Sequence, residues 1–234
     1  MQLFYNSKLD NTVTEFFFSP EESKHISRVL RKKEGDILEI TNGKGQMFSA
    51  KILEAHAEKC KAQIVETQHC TPSNYVLHIG IAPTKQNDRF EWFLEKATEI
   101  GIARITPLLC DHSERKSIKP ERLEKVLQAA MKQSLQAYLP QLRPLTPLKE
   151  FLTTTSADIK FIAHCSKGEK AELKRKLQPD KEVLILIGPE GDFSEKEIDA
   201  ALQQGYSAVS LGQNRLRTET AAIVACTAVA IVNS

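Results

Sequence analysis

The apolar positions in the first part of the chain recur in short runs separated by polar turns, a pattern typical of strands. Four such runs predict strands over residues 16–18, 37–40, 47–52 and 61–65. The segment Asn42-Gly43-Lys44-Gly45, between the second and third runs, predicts a β-hairpin turn. Together these features predict a small β-rich domain over residues 1–71.

One helix is expected among these strands. The segment Ser19-Pro20-Glu21-Glu22 offers a capping serine, a proline at the first helical position and a glutamate that completes a capping box. The helix is expected to place Ile26, Val29 and Leu30 on one face and to end near residues 31–33.

Beyond a linker at residues 70–74, strand and helix patterns alternate. Strands are predicted over residues 75–82, 105–110, 159–163, 183–187 and 208–211. Helices are predicted over residues 88–100, 120–138, 169–177 and 195–204, with a buried helix over the apolar run 221–232. This alternation predicts a mostly parallel sheet with helices on both faces, an α/β domain over residues 72–234.

Composition narrows the class of protein. The 234 residues are 41% hydrophobic and 26% charged, as in ordinary globular domains. A net charge of +2 excludes a simple polycation, so any RNA contact would depend on local basic patches. Five cysteines without a C-x-x-C pair and histidines without ligand spacing indicate reduced thiols and no metal. With no apolar signal segment and no run long enough for a bilayer, we expect a cytoplasmic protein without membrane contact.

Basic residues cluster in three places that could hold RNA phosphates. The first cluster lies on or just after the first predicted helix and comprises Lys24, Arg28, Arg31 and Lys32. Lys85 and Arg89 flank the start of the helix predicted over 88–100, and Arg115 lies in a loop before the next helix. Solvated helix faces would produce the same pattern, so both interpretations stay open.

Two loops that follow predicted strands carry the candidate chemistry. They contain Gly188-Pro189-Glu190-Gly191 and Leu211-Gly212, and each leads into a helix. Such loops bind ligands in α/β proteins because their amides point outward at the carboxyl end of a strand. An ordinary turn in the first case, and a solvated helix start capped by Thr218 in the second, are the alternatives. The chain lacks the G-x-G-x-x-G and P-loop fingerprints, which argues against NAD and nucleotide triphosphates.

These motifs, with Leu216-Arg217-Thr218-Glu219-Thr220-Ala221 after them, resemble the signature of the ribosomal RNA small-subunit methyltransferase E family of the SPOUT superfamily. The segment 25–31 resembles part of the family's N-terminal PUA-like RNA-binding domain. A further resemblance is to the K-x-T-E-L-G motif that ends a helix in the family, matched here by Lys96-Ala97-Thr98-Glu99-Ile100-Gly101. Asp192 stands where the glycine run of the family usually continues, which adds a negative charge beside the expected pocket.

The resemblance implies a fold, a cofactor and a substrate. It implies a parallel sheet with a trefoil knot, a small PUA-like β-barrel and a homodimer. It also implies S-adenosylmethionine as cofactor and N3 of a uridine in small-subunit ribosomal RNA, within the assembled subunit, as the methylated atom. The cofactor-binding residues that it implies are Ala163, His164, Ile187, Gly188, Pro189, Glu190, Gly191, Ser210, Leu211, Gly212, Asn214, Leu216, Arg217 and Thr220.

Two residues of the last motif are candidates for catalysis. Arg217 could stabilise the charge that develops on the uracil ring, and Glu219 could orient the base or handle its proton. A non-catalytic RNA-binding or ribosome-assembly factor that retains the fold is the main alternative. A nucleotide-dependent oxidoreductase is a weaker one, because its fingerprint loop is missing.

Overall fold

A computed structural model describes residues 2–166 and 168–234 of the chain. It divides into two compact units, one of Met1–Pro72 with Met131–Leu139 and the other of Ser73–Ala130 with Pro140–Ser234. The sequence-based division assigns residues 131–139 to the second domain, whereas their contacts place them in the first unit. Local periodicity cannot show this difference, because the segment continues directly from a helix of the second unit.

The first unit is a curled five-stranded sheet in the order β1-β3-β4-β5-β2. Its strands are β1 Leu3–Tyr5, β2 Glu15–Phe17, β3 Ile37–Thr41, β4 Gln46–Glu54 and β5 Lys61–His69. Only the β1–β3 pairing is parallel among the pairings described for this sheet. Ile26, Ile40 and Phe48 are fully buried in its core. The four predicted strands and the hairpin are confirmed, with Gly43 and Gly45 at φ of 70° and 91° in the turn.

The segment 131–139 completes the first unit by bonding to this hairpin. The carbonyl of Ala137 accepts from the Thr41 hydroxyl at 3.1 Å and from the Gly45 amide at 3.0 Å. The Tyr138 hydroxyl donates to the carbonyl of Cys70 at 2.8 Å. Met131 is fully buried. The hairpin turn is therefore stabilised by residues that lie far along the chain.

The first helix is shorter than predicted. Helix α1, Pro20–Lys24, starts at Ser19, whose hydroxyl accepts from the Glu22 amide at 3.2 Å. It passes directly into a π-helical turn over His25–Val29. The wider turn rotates the next residues around the axis, so Val29 is 64% exposed and its predicted place on the buried face is wrong.

The second unit contains an eight-stranded sheet in the order β11-β13-β10-β12-β6-β7-β8, with β9 beside β7. The strands are β6 Val76–Ile81, β7 Arg104–Leu109, β8 Gln141–Leu142, β9 Thr146–Pro147, β10 Ile159–Ala163, β11 Ala171–Glu172, β12 Glu182–Ile187 and β13 Ser207–Ser210. All of the pairings described for it are parallel. The prediction of a parallel sheet is confirmed.

Helices cover both faces of this sheet. They are α2 Asn87–Ile100, α3 Pro120–Gln133, α4 Leu148–Thr154, α5 Glu195–Gln203 and α6 Thr218–Val232. Helices α4 and α5 share a buried cluster with Leu184 and Leu186 of β12. Helix α6 packs against α2, β6 and β12. No helix in the described part of the chain is both long and apolar enough to cross a membrane.

Two predicted helices differ from the structure. Residues 169–177 form the short strand β11 and a 3₁₀ turn, Leu173–Arg175, so the predicted helix there is wrong. Charged residues of both signs, interspersed with Ala171, Leu173 and Leu177, give this segment a helical appearance. Among the residues of the 3₁₀ turn, however, only Leu173 is buried. The helix predicted to reach residue 138 ends at Gln133, and Leu135 then adopts a left-handed φ of 57°.

Candidate active site

A cleft of about 970 Å³ lies at the carboxyl ends of three adjacent strands of the second unit. Its walls are the segments that follow β10, β12 and β13, which are neighbours in the sheet. Arg89 of α2 also lines it. The two glycine loops singled out in the sequence therefore meet at one site, together with a third loop after β10.

The cleft brings together the residues expected to bind a cofactor. Those that line it are Ala163, His164, Ile187, Gly188, Pro189, Glu190, Gly191, Ser210, Leu211, Gly212, Asn214, Leu216 and Arg217. Thr220 does not line the cleft. Glu219 does line it, so the two residues predicted to be catalytic share one cavity.

The loop after β12 is shaped by close packing around its glycines. A Cβ on Gly188 would lie 3.1 Å from the Phe193 ring, and a Cβ on Gly191 would lie 3.1 Å from His112. The Asp192 amide donates to the carbonyl of Pro189 at 2.9 Å and closes the turn. Larger side chains at either glycine would displace these neighbours and change the cleft wall.

Carboxylates of this loop reach the loops of the two flanking strands. Glu190 Oε1 accepts from the backbone amide of Lys85 at 3.0 Å, after β6. Asp192 Oδ2 accepts from the backbone amide of Cys165 at 2.7 Å, after β10. Because β6 and β10 are the two neighbours of β12, these bonds connect three consecutive loops beyond the end of the sheet.

The loop after β13 is joined to the loop after β12 through the start of α6. The N-cap of this helix is Arg217, so the alternative in which Thr218 caps it is wrong. The Thr218 hydroxyl is buried and donates to the carbonyl of Gly188 at 3.1 Å. Gly212 has a backbone φ of 135°, a value that residues other than glycine rarely adopt. A Cβ placed on Gly212 would meet no atom within 4 Å. The backbone at Gly212 is therefore open to a ligand.

Glu219 and Arg217 have different surroundings. Glu219 is only 7% exposed, and its Oε1 lies 3.9 Å from Nε of Arg89. Its position in the first turn of α6 also favours a negative charge. Arg217 is exposed, and within the described residues its side chain forms no ion pair. The cleft thus contains a fixed, buried carboxylate and a cation that is free to meet a ligand.

The loop after β10 brings Cys165 into the cleft, as the family resemblance of the strand end 163–165 implies, and adds Ser166 and Lys170, which sequence reasoning did not select. Burial lowers the pKa of His164, and the nearby Lys170 lowers it further, so the imidazole is neutral near pH 7. Its Nδ1 is buried, and among the described residues it has no hydrogen-bond partner. For Ser166 and Lys170, the position of the segment after a strand is the signal that could have marked them as part of a site.

The predicted RNA-binding residues fall into two groups. Lys24, Arg28 and Arg31 are exposed in the first unit, with Lys32 half-buried. In the second unit Arg115 donates to the carbonyls of Thr84 and Lys85, at 2.9 and 2.5 Å, and to the side chain of Asn87. Lys85 pairs with Glu114 at 2.8 Å. Arg115 therefore holds the loop after β6 in place, and its contact with RNA stays a prediction.

Comparison with known proteins places this arrangement in a class. A family model described as an RNA methyltransferase domain matches residues 71–230. A second, described as an RNA methyltransferase PUA domain, matches residues 18–65. The parallel sheet with loops converging on one cleft, preceded by this PUA-type unit, defines the chain as an RNA methyltransferase.

Individual relatives narrow the class to one family. A ribosomal RNA small subunit methyltransferase E of Buchnera aphidicola is 32% identical, over 94% of this chain and 89% of its own. A crystal structure from Porphyromonas gingivalis, described as a "probable rRNA-methyltransferase", is 38% identical with a TM-score of 0.94, covering 100% of this chain and 98% of that one.

A second structure is that of the ribosomal RNA small subunit methyltransferase E of Neisseria gonorrhoeae bound to S-adenosyl methionine. It is 25% identical with a TM-score of 0.87, over 100% of this chain and 98% of that one. The chain belongs to the ribosomal RNA small subunit methyltransferase E family, and the resemblance seen in the sequence motifs is confirmed.

Proposed function

We propose that this chain methylates N3 of a uridine in small-subunit ribosomal RNA, within the assembled subunit, with S-adenosylmethionine bound in the cleft. The observation that carries the proposal is the convergence of three loops of adjacent parallel strands on one cavity, in a member of this family. The Neisseria relative bound to S-adenosyl methionine supports the choice of cofactor.

The residues of the cleft suit such a cofactor. A volume of about 970 Å³ lies at the upper end of the range of small-molecule sites. The buried side chains of Ile187 and Val209 offer an apolar floor. Gly212 leaves open space beside its Cα, so a ligand can approach the chain closely there, while its own amide and carbonyl bond to the Ser210 hydroxyl. When bound, the sulfonium of the cofactor supplies an electrophilic methyl group.

Arg217 and Glu219 are assigned roles on the RNA side of this chemistry. The N3 atom of uridine carries a weakly acidic proton that must be lost or shared before N3 can attack. Arg217 would stabilise the negative charge that then develops on the ring, and preorganised charges of this kind are often the largest catalytic contribution. Glu219, held at the cleft by burial and by Arg89, would orient the base or accept the proton.

The first unit would contact the RNA backbone. Lys24, Arg28 and Arg31 lie on or directly after a short helical segment, are exposed, and within the described residues form no ion pairs. Unpaired cations on one surface segment suit phosphate contacts that fix position without reading sequence. These three residues are therefore assigned to the RNA backbone, and Arg89 to the nucleotide that enters the cleft.

A second copy of the chain is the proposed partner, as is usual for enzymes of this superfamily. Helix α6 is apolar around most of its circumference, and Ile231 is 66% exposed. Trp92 of α2, the helix that packs against α6, is 43% exposed. A surface of this kind is best buried in a dimer. We place the homodimer in the cytoplasm, where small ribosomal subunits are assembled.

Two measurements test the proposed function. Isothermal titration calorimetry should detect binding of S-adenosylmethionine, whereas no binding would favour a non-catalytic RNA-binding factor. Mass spectrometry of ribosomal RNA nucleosides from a strain that lacks this gene should show loss of 3-methyluridine. Retention of that nucleoside, in a strain without a second enzyme for it, would contradict the proposal.

A further inference from the structure

Asp192 adopts a backbone conformation that few residues accept. Its φ is 63°, in the left-handed region, where aspartate and asparagine are tolerated better than other side chains except glycine. Its amide closes the turn on the carbonyl of Pro189 at 2.9 Å. The backbone of the turn therefore fixes the direction in which the side chain leaves the loop.

The carboxylate of Asp192 bonds the loop after β12 to the loop after β10, just beyond the last backbone pair of these two strands. The last registered pair of β10 and β12 is Ala163 with Ile187. Two residues beyond β10, the amide of Cys165 donates to Asp192 Oδ2 at 2.7 Å, while the Phe193 amide donates to Oδ1 at 2.9 Å. Both oxygens of the carboxylate therefore accept bonds from backbone amides, although Asp192 also lines the cleft.

His112 supports the same turn through other atoms. Its Nδ1 lies 3.0 Å from the carbonyl oxygen of Asp192 and 3.2 Å from that of Gly191. Since carbonyl oxygens only accept, Nδ1 acts as the donor in both contacts. The carbonyls of Gly191 and Asp192 thus bond the turn to His112, while the Asp192 side chain bonds it to the loop after β10.

We infer that Asp192 is a positioning residue, which holds the loop after β10 against the loop after β12 and so fixes the width of the cofactor cleft. The inference rests on the proposed function, because it assigns the loop carrying His164 and Cys165 to cofactor binding. Both of these residues line the cleft, and Cys165 is exposed there. Without the bond to the carboxylate, the Cys165 amide loses its partner and the loop is no longer preorganised.

Three variants separate the carboxylate from the backbone conformation. Asp192→Gly accepts the left-handed φ without strain and removes the bond to Cys165. Asp192→Asn keeps the shape and one acceptor oxygen but presents a donor to the second amide. Asp199→Asn is the matched control, because Asp199 is exposed on α5, outside the cleft.

The first measurement is hydrogen exchange of the Cys165 amide in the full-length protein without cofactor. We expect exchange about tenfold faster or more in Asp192→Gly, smaller acceleration in Asp192→Asn and no change in Asp199→Asn, as for loss of one charge-assisted hydrogen bond. Wild-type exchange at Cys165 in both Asp192 variants would overturn the inference.

The second measurement is steady-state methylation of small ribosomal subunits. Asp192→Gly should raise KM for S-adenosylmethionine by about tenfold, with kcat at saturating cofactor and KM for the subunit close to wild type. An unchanged KM for the cofactor, or a loss confined to kcat, would overturn the inference. If Asp192→Gly fails to fold, the same comparison is made with Asp192→Asn. A wild-type protein that does not bind S-adenosylmethionine would refute the proposed function instead, while the exchange data would still report on the bond.

Discussion

Arg217 and Glu219 lie two residues apart at the start of α6, yet their surroundings suit opposite tasks. Glu219 is buried beside Arg89, which fixes its side chain at the cleft. Arg217 precedes the first helical residue with an extended backbone, and its side chain is exposed. A change of backbone conformation within one motif thus provides both a fixed anion and an available cation.

The role of Arg217 can be separated from cofactor binding. We expect Arg217→Ala to lower kcat at saturating cofactor by about a hundredfold, the effect of removing one preorganised charge. Because Arg217 is also assigned to the cofactor site, calorimetry measures any loss of cofactor affinity separately. Arg217→Lys should recover part of the loss. Full activity in Arg217→Ala with unchanged cofactor affinity would show that charge stabilisation comes from another group.

A buried histidine makes the second unit sensitive to acid. Burial lowers the pKa of His78 to about 3, with further contributions from Arg143 and Arg104. In the unfolded chain its pKa returns to about 6.5. Below pH 6.5 the unfolded chain binds a proton at His78 that the native protein does not bind. The contribution of His78 to the free energy of unfolding is therefore fully present above pH 6.5. It decreases by about 1.4 kcal/mol for each pH unit below that value.

The His78 contribution can be isolated by substitution. Urea unfolding at pH 7.5 and pH 5.0 should show that wild type loses about 2 kcal/mol more than His78→Gln between these values. The glutamine can still bond to Thr106, whose hydroxyl lies 2.8 Å from Nε2 of His78. Equal pH dependence in the two proteins would mean that His78 titrates normally in the folded chain.

At the scale of elements, helix α5 shows how a local motif also supports the cleft. Ser194 and Glu197 form a capping box in which each side chain accepts from the backbone amide of the other residue. The Ser194 hydroxyl also donates to Asp111 at 2.6 Å, and Glu197 accepts from the Asp111 amide at 2.9 Å. The cap therefore joins the segment after β7 to the end of the loop that follows β12.

Loss of this cap should be measurable. Ser194→Ala should destabilise the protein by about 1–2 kcal/mol in urea unfolding, because it removes the N-cap bond and the bond to Asp111. The exposed Ser156, between α4 and β10, provides Ser156→Ala as a control with no expected change. Equal stability of the two variants would show that water replaces both bonds without cost.

Elements with a strong local signal could be predicted from the sequence, and elements that depend on distant contacts could not. The α5 cap and the 42–45 hairpin each rest on residues within a few positions of each other. The π-helical turn over His25–Val29 has no such signal, nor has the 3₁₀ turn at Leu173–Arg175, where charged residues suggest a longer helix.

The same distinction holds for the site. Its glycine loops are visible as sequence motifs, whereas the bonds that hold them together join Asp192 to Cys165, 27 residues apart, and Glu190 to Lys85, 105 residues apart. No local pattern encodes such pairs. The sequence alone presents Asp192 as an added negative charge beside the cofactor, while the structure shows its two oxygens bonded to backbone amides.

At the scale of the whole molecule, the proposed dimer can be tested with one charge. Ile231→Asp places a carboxylate on the exposed apolar side of α6 and should shift sedimentation equilibrium toward the monomer, because burying the charge in an interface is costly. Leu202→Asp is the matched control, since Leu202 is 43% exposed on α5. Dimerisation that resists Ile231→Asp but not Leu202→Asp would place the interface elsewhere.

The return of residues 131–139 to the first unit has a consequence for biosynthesis. Residues 1–72 emerge from the ribosome before the segment 131–139, which bonds to Thr41, Gly45 and Cys70. The first unit can therefore complete its hydrogen bonds only after residues 131–139 have been synthesised. The amino-terminal unit therefore matures only after more than half of the polypeptide has been translated. Expression of the first 72 residues alone should yield a fragment in which the hairpin 42–45 lacks the bonds from residues 131–139. Appending 131–139 through a short linker should restore those bonds.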